Sequence, residues 1–158
     1  MPKRVDHEAY SRALAERAAA YFSAHGYAGT GMRQIADHLG VSKSALYHYF
    51  PNKEALFLAC TRQIMAGLDS GLVDPGASEQ ENLDRLLEVM RVNFGAEMAL
   101  VFDYLRGKTR AEIAQDEAMQ MAMESYRALV ERIVGQARAE ETLARLLGTL
   151  LLEYCSGK

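Results

Sequence analysis

Between Met32 and Tyr49 the chain reads MRQIADHLGVSKSALYHY, two short helix-forming segments separated by Gly-Val-Ser. Ile35, Leu39, Val41 and Leu46 are spaced to form a small core between two crossing helices. Ala36 is small where the helices approach, and Gly40 supplies the positive φ of a tight turn. Ser42 caps the second segment, with Val41 and Leu46 at staple positions. On a wheel of 100° per residue, Ala45, Leu46, Tyr49 and Phe50 fall in one arc and Lys43, Ser44, Tyr47 and His48 in the other. The first arc packs on the protein; the second is rich in donors and holds no acid.

That arrangement is the spacing of a helix-turn-helix, whose second helix lies in a DNA major groove with its side chains at base edges and phosphates. A buried αα-hairpin has the same two helices and glycine, but gives no reason for an open basic arc flanked by Lys53. Charge agrees in sign. Residues 1–58 hold seven basic and five acidic side chains, whereas the remainder holds 11 basic and 16 acidic ones, and all four histidines fall within the first 48 residues. A mildly basic head on an acidic body suits a chain that offers one end to a polyanion.

The rest reads as helix, so the expected class is all-α: an N-terminal three-helix DNA-binding unit over 1–52 and a helical regulatory and dimerisation unit over 53–158. Proline stands only at positions 2, 51 and 75, and no alternating run marks a strand. Asp6 is expected to cap a first helix that Gly26 stops, with Val5 and Tyr10 as its staple; the next starts near Thr30. Asn52 caps a fourth, and VDPGAS reads as a linker. Ser78 with Glu81 and Thr109 with Glu112 are capping boxes. They predict helices over 79–93 and 110–138, a shorter one over 97–106 between them, and a last one over 140–154.

No apolar run reaches membrane-spanning length and the N-terminus lacks the apolar core of a signal peptide, so no membrane partner and a cytoplasmic location are expected. Cys60 and Cys155 have neither metal-ligand nor redox spacing. Asp37, His38 and His48 are the nearest approach to a metal set, but they follow no ligand motif such as HExxH. No nucleophile elbow, phosphate-cradling loop or CxxC is present, so neither catalysis, a metal nor a cofactor is expected.

The stretch GYAGTGMRQIADHLGVSKSALYHYFPNKEALF, residues 26–57, resembles the DNA-binding signature of TetR/AcrR-type transcriptional regulators. The shared elements are Gly-Tyr, a Thr-led second helix, Ile-Ala, Gly-Val-Ser, Leu-Tyr-x-Tyr-Phe and Asn-Lys-Glu-x-Leu. It departs at Gly31, where the family commonly has Ser or Thr, which leaves Thr30 to contact phosphate alone. The resemblance implies that Tyr47 and Lys53 grip phosphates, that Lys43, Ser44 and His48 read bases, and that Ala45 meets a thymine methyl. For Lys43, guanine and phosphate are both open. Arg33 and the arm Lys3/Arg4 are either DNA contacts or solvated charges; His7 and His25 read as structural or surface.

The resemblance further implies a homodimeric repressor that binds a palindromic operator in double-stranded DNA and is released by a small-molecule effector held in the body. A helical protein that binds small molecules and has lost DNA recognition is the alternative, against which Lys43, Tyr47 and Lys53 stand intact. Leu143, Leu146, Leu147, Leu150, Leu151 and Tyr154 form a stripe too apolar for water, which is either core or dimer interface. Met90, Phe94, Met98 and Phe102 form an i, i+4 ladder, and Met119, Met123 and Tyr126 a second stripe. Six of the eight methionines lie between 65 and 123. These are either ordinary core or the lining of a pocket for an apolar or aromatic effector.

Overall fold

A computed structural model describes residues 2–158; the side chains of residues 2–5 and 69 fall outside the described set. The described residues form eight helices: α1 (Pro2–His25), α2 (Met32–Leu39), α3 (Lys43–Tyr49), α4 (Lys53–Asp69), α5 (Glu79–Leu105), α6 (Arg110–Ala114), α7 (Glu117–Val134) and α8 (Gln136–Ser156). None of them is long and apolar enough to cross a membrane.

Side-chain caps set most of the helix starts. Ser42 Oγ accepts from Ala45 N at 3.0 Å, and Asn52 Oδ1 from Ala55 N at 2.8 Å. Ser78 and Thr109 each exchange hydrogen bonds with the glutamate three residues on. Each cap satisfies a backbone donor that the helix itself leaves free.

Four boundaries differ from expectation, each for a physical reason; one is the α7–α8 junction, expected at 138–140, which falls at Gly135 with its positive φ of 82°. The first helix begins at Pro2, a residue well suited to a first turn, so Asp6 lies inside α1 rather than at its cap. Tyr10 turns to Tyr49, 5.3 Å between ring centroids, while its proposed staple partner Val5 lies outside the described side chains. The expected helices 79–93 and 97–106 are one continuous α5, because the Tyr154 ring of α8 covers Gly95, filling the space a Cβ would need. Conversely, the expected helix 110–138 is broken at Asp116. Its carboxylate accepts from Met119 N at 3.0 Å to start α7 and from the Tyr104 hydroxyl at 2.6 Å, and it pairs with Lys108 at 3.2 Å.

The segment read as a linker is pinned to the body. Buried Asn82 accepts from Asp74 N at 2.8 Å and donates to Asp74 O at 3.0 Å, clamping the Asp-Pro-Gly turn onto α5.

Two apolar cores follow. The first gathers Leu14, Ala18 and Phe22 of α1, Ile35 and Leu39 of α2, Leu46 of α3 and Leu56, Phe57 and Cys60 of α4, and it also takes in Tyr104 and Ala118 from the body. The second joins Leu86, Met90 and Phe94 of α5, Leu129 and Val130 of α7, and Leu143, Leu146 and Leu150 of α8. Helix α4 therefore contributes buried residues to the N-terminal core while packing against α7 of the body. Burial pushes the Cys60 thiol up to about 12, consistent with a packing role, whereas Cys155 is exposed.

Candidate nucleic-acid interface

Helices α2 and α3 cross as their sequence requires. Gly40 adopts φ 72°, and its backbone N–H closes on Ala36 O and Asp37 O. Val41 N then bonds Ala36 O at 3.0 Å. Ile35, Ala36 and Leu46 are fully buried at the crossing. This fixes α3 so that Lys43, Ser44, Tyr47 and His48 face solvent, with Ala45 half-buried at the edge. Lys43 Nζ lies 5.6 Å from the Tyr47 ring centroid, so cation and aromatic share one surface. Arg33 is exposed on α2. The Lys3/Arg4 arm lies outside the described side chains.

Three placements refine the sequence-based set. Thr30 is 3% exposed and its hydroxyl donates to Gly26 O at 2.8 Å, so it braces the α1–α2 turn instead of presenting a hydroxyl outward. Lys53 is half-buried and donates to Tyr27 O at 2.9 Å and Thr30 O at 3.0 Å, with its ammonium 4.1 Å from the Tyr27 ring centroid. Two of its three donors are thus committed inside the protein. His7, read as structural or surface, reaches across from α1 to touch α3: its ring lies 5.6 Å from that of His48 and 4.5 Å from that of Tyr49. This contact between residues 41 apart in sequence had no local signal. His38 packs on Tyr21 at 4.7 Å and His48 on His7, so the pair belongs to different aromatic contacts.

A body residue completes the turn. Asp103, near the end of α5, accepts from Tyr27 N at 2.7 Å and Ala28 N at 2.8 Å. Gly26, at φ 79°, lets the carboxylate approach; a Cβ there would stand 3.0 Å from Asp103 Oδ2. The turn is therefore clamped by a cation on its carbonyls, from the start of α4, and an anion on its amides, from near the end of α5.

The backbone N–H of Ala28, then that of Tyr27, holds the Asp103 carboxyl below the usual carboxylate range. A depressed folded-state pKa contributes stability that is complete above the unfolded value of about 3.9 and lost as pH falls through the folded value. Asp103→Asn retains an acceptor but no titration. Urea midpoints between pH 6 and pH 3 should therefore fall less steeply in Asp103→Asn than in the parent chain; parallel curves would mean that the clamp contributes nothing.

The residues expected to line an effector pocket differ in exposure. Met90 and Phe94 are buried in the second core, Met98 and Tyr126 are half-buried beside it, and Phe102 (64% exposed) and Met123 face outward. The apolar stripe of α8 divides as well. Leu143, Leu146 and Leu150 are buried in the core and Leu147 packs beside it, leaving Leu151 and Tyr154 on the surface with Leu152. An open cleft of about 400 Å³ lies elsewhere, between α4 and α7.

The family described as "Bacterial regulatory proteins, tetR family" matches residues 14–60, which run from α1 through the first two turns of α4. Among curated proteins the chain is 35% identical over 127 residues to the HTH-type transcriptional regulator RutR of Escherichia coli (strain K12), covering 70% of this chain and 60% of that protein. It is 35% identical over 78 residues to the HTH-type transcriptional repressor AcnR of Corynebacterium diphtheriae, covering 49% of this chain and 36% of that protein. The HTH-type transcriptional activator FasR of Mycolicibacterium smegmatis is 36% identical over 73 residues, 46% of this chain and 33% of that protein. The chain thus spans 60% of the length of RutR and less of the other two. With its helix-turn-helix inside the matched segment, the chain carries the DNA-binding segment of the tetR family of bacterial regulatory proteins.

Proposed function

We propose that the chain is a transcriptional repressor that binds an inverted-repeat duplex as a homodimer and releases it when a small effector occupies the body. Residues 1–52 form the reader and 53–158 the regulatory part, with α4 shared between them. The observation that carries the reading is the solvent-facing arc of α3, where Lys43, Ser44, Tyr47 and His48 stand on a helix fixed from behind by buried Leu46. Lys43, Ser44 and His48 read bases, Ala45 meets a thymine methyl, and Tyr47, Arg33 and the remaining donor of Lys53 hold phosphates. Repression needs no further surface, since a dimer covering two successive major grooves excludes other proteins from that duplex.

Dimerisation is supported by apolar side chains left in water on two neighbouring body helices. Val92 on α5 is 78% exposed and Leu152 on α8 is 73% exposed, accompanied by Val89, Leu151 and Tyr154. Such clustered exposure suits an interface better than a free surface. Leu151→Glu with Leu152→Glu should convert a sedimenting dimer to monomer and weaken binding to a two-half-site duplex while sparing helix content. A double variant that remains dimeric would place the interface elsewhere.

For the whole reading, anisotropy titrations of the purified chain against duplex DNA should show saturable binding whose affinity falls steeply with salt, as phosphate contacts require. Absence of duplex binding at low salt would contradict it.

A further inference from the structure

The cleft between α4 and α7 has a composition that selects its occupant. Arg62, Met65 and Leu68 of α4 face Met121, Ser125 and Leu129 of α7 across about 400 Å³, a volume within the roughly 300–1,000 Å³ of small-molecule sites. No acidic residue is among those lining it, and Arg132 adds a second guanidinium at the same cleft. The Ser125 hydroxyl is already donated to Met121 O at 2.8 Å, so it supplies no further donor.

Arg62 differs from four arginines of the body in its surroundings. Arg85, Arg91, Arg127 and Arg138 each sit against a carboxylate, whereas Arg62 makes no ion pair or hydrogen bond among the described residues. A guanidinium presents donors in a fork that matches a carboxylate. Methionine adapts to the shape of an unbranched apolar chain. The geometry points to this cleft as the site of an amphipathic organic monoanion, its carboxylate on Arg62 and its apolar chain along Met65, Leu68, Met121 and Leu129. The effector site thereby moves from the methionine ladder of α5 to the α4–α7 seam.

The location supplies a route to the reader. Arg62 lies nine residues along α4 from Lys53, about 13 Å at 1.5 Å per residue, and Lys53 holds the α1–α2 turn. A ligand bridging α4 and α7 stabilises one separation of these helices, and any preference of DNA for another separation becomes a coupling between the sites. This last step rests on the proposed DNA reading; the binding site does not.

The test is calorimetric titration of the full chain, free of DNA, with decanoate, 1-decanol and decyltrimethylammonium. Decanoate should bind one site per chain, at least about tenfold more tightly than decanol, because a charged hydrogen-bonded contact is added to the same apolar one. The cation should bind more weakly than the alcohol. Arg62→Gln should bring decanoate close to decanol and leave decanol unchanged, while Ala128→Phe, at an exposed position lining the cleft, should abolish both with helix content retained. Equal binding of decanoate and decanol, preference for the cation, an unaffected Arg62→Gln or no binding at all would overturn the assignment. Duplex affinity measured on the ligand-free chain fails or succeeds independently. Decanoate binding without any duplex binding would contradict the proposed function and leave the site standing.

Discussion

Replacing Lys43 by glutamate and Tyr47 by alanine together is expected to weaken duplex binding by at least about a hundredfold with little change in thermal midpoint. Each well-placed contact to a base or phosphate contributes roughly 1–3 kcal/mol, and about 1.4 kcal/mol corresponds to a factor of ten. Two lost contacts and a new negative charge facing phosphate therefore reach that loss. Stability is spared because both side chains face solvent. Lys43 is moreover the first residue of α3, where an acidic side chain complements the helix dipole. Affinity and stability are thus separated by position. A variant that binds duplex as well as the parent would remove α3 from the interface. The comparable substitution at Lys53 separates less cleanly, since its ammonium also ties α4 to Tyr27 O and Thr30 O.

Leu46→Ala has the opposite profile. Leu46 is fully buried where α3 meets the first core. Removing three carbons there leaves a cavity between short helices, with an expected loss of about 3 kcal/mol in a range of roughly 2–5. For a chain of this length that lowers the midpoint on the order of 6–12 °C. Duplex binding should fall in proportion to the fraction of molecules whose α3 is displaced, and cooling should partly restore it. A midpoint within about 2 °C of the parent would show that the α2–α3 crossing is not held by this side chain.

The two variants bracket what was legible in the sequence. The α2–α3 crossing depends on residues within eighteen positions, so spacing alone places Ile35, Ala36, Gly40 and Leu46 at the crossing and Lys43, Tyr47 and His48 outside it. Caps at Ser42, Asn52, Ser78 and Thr109 were readable for the same reason: each cap and its partner lie three residues apart.

What was not readable is nonlocal. Gly95 looks like a break until Tyr154 is brought against it, and Asp116 looks like one more helical acid until Tyr104 and Lys108 surround it. Asp103 on the α1–α2 turn and His7 against His48 join segments that no periodicity connects. The body was the least legible part. A methionine ladder and a leucine stripe specify an apolar face but not its partner, and the packing of α5, α7 and α8 placed Met90, Phe94, Leu143, Leu146 and Leu150 in the core. A cleft lies where α4 and α7 leave Arg62 and Met65 facing Met121 and Leu129, a juxtaposition no local spacing gives.

Selection of bound duplexes from a random pool by the purified chain tests the central claim most directly. The expected result is enrichment of an inverted repeat whose half-sites lie about one helical turn apart, roughly 34 Å centre to centre, with enrichment lost in the Lys43→Glu/Tyr47→Ala variant. Recovery of an unenriched pool, or of the same sequences by parent and variant alike, would contradict the assignment of α3 as the reading helix.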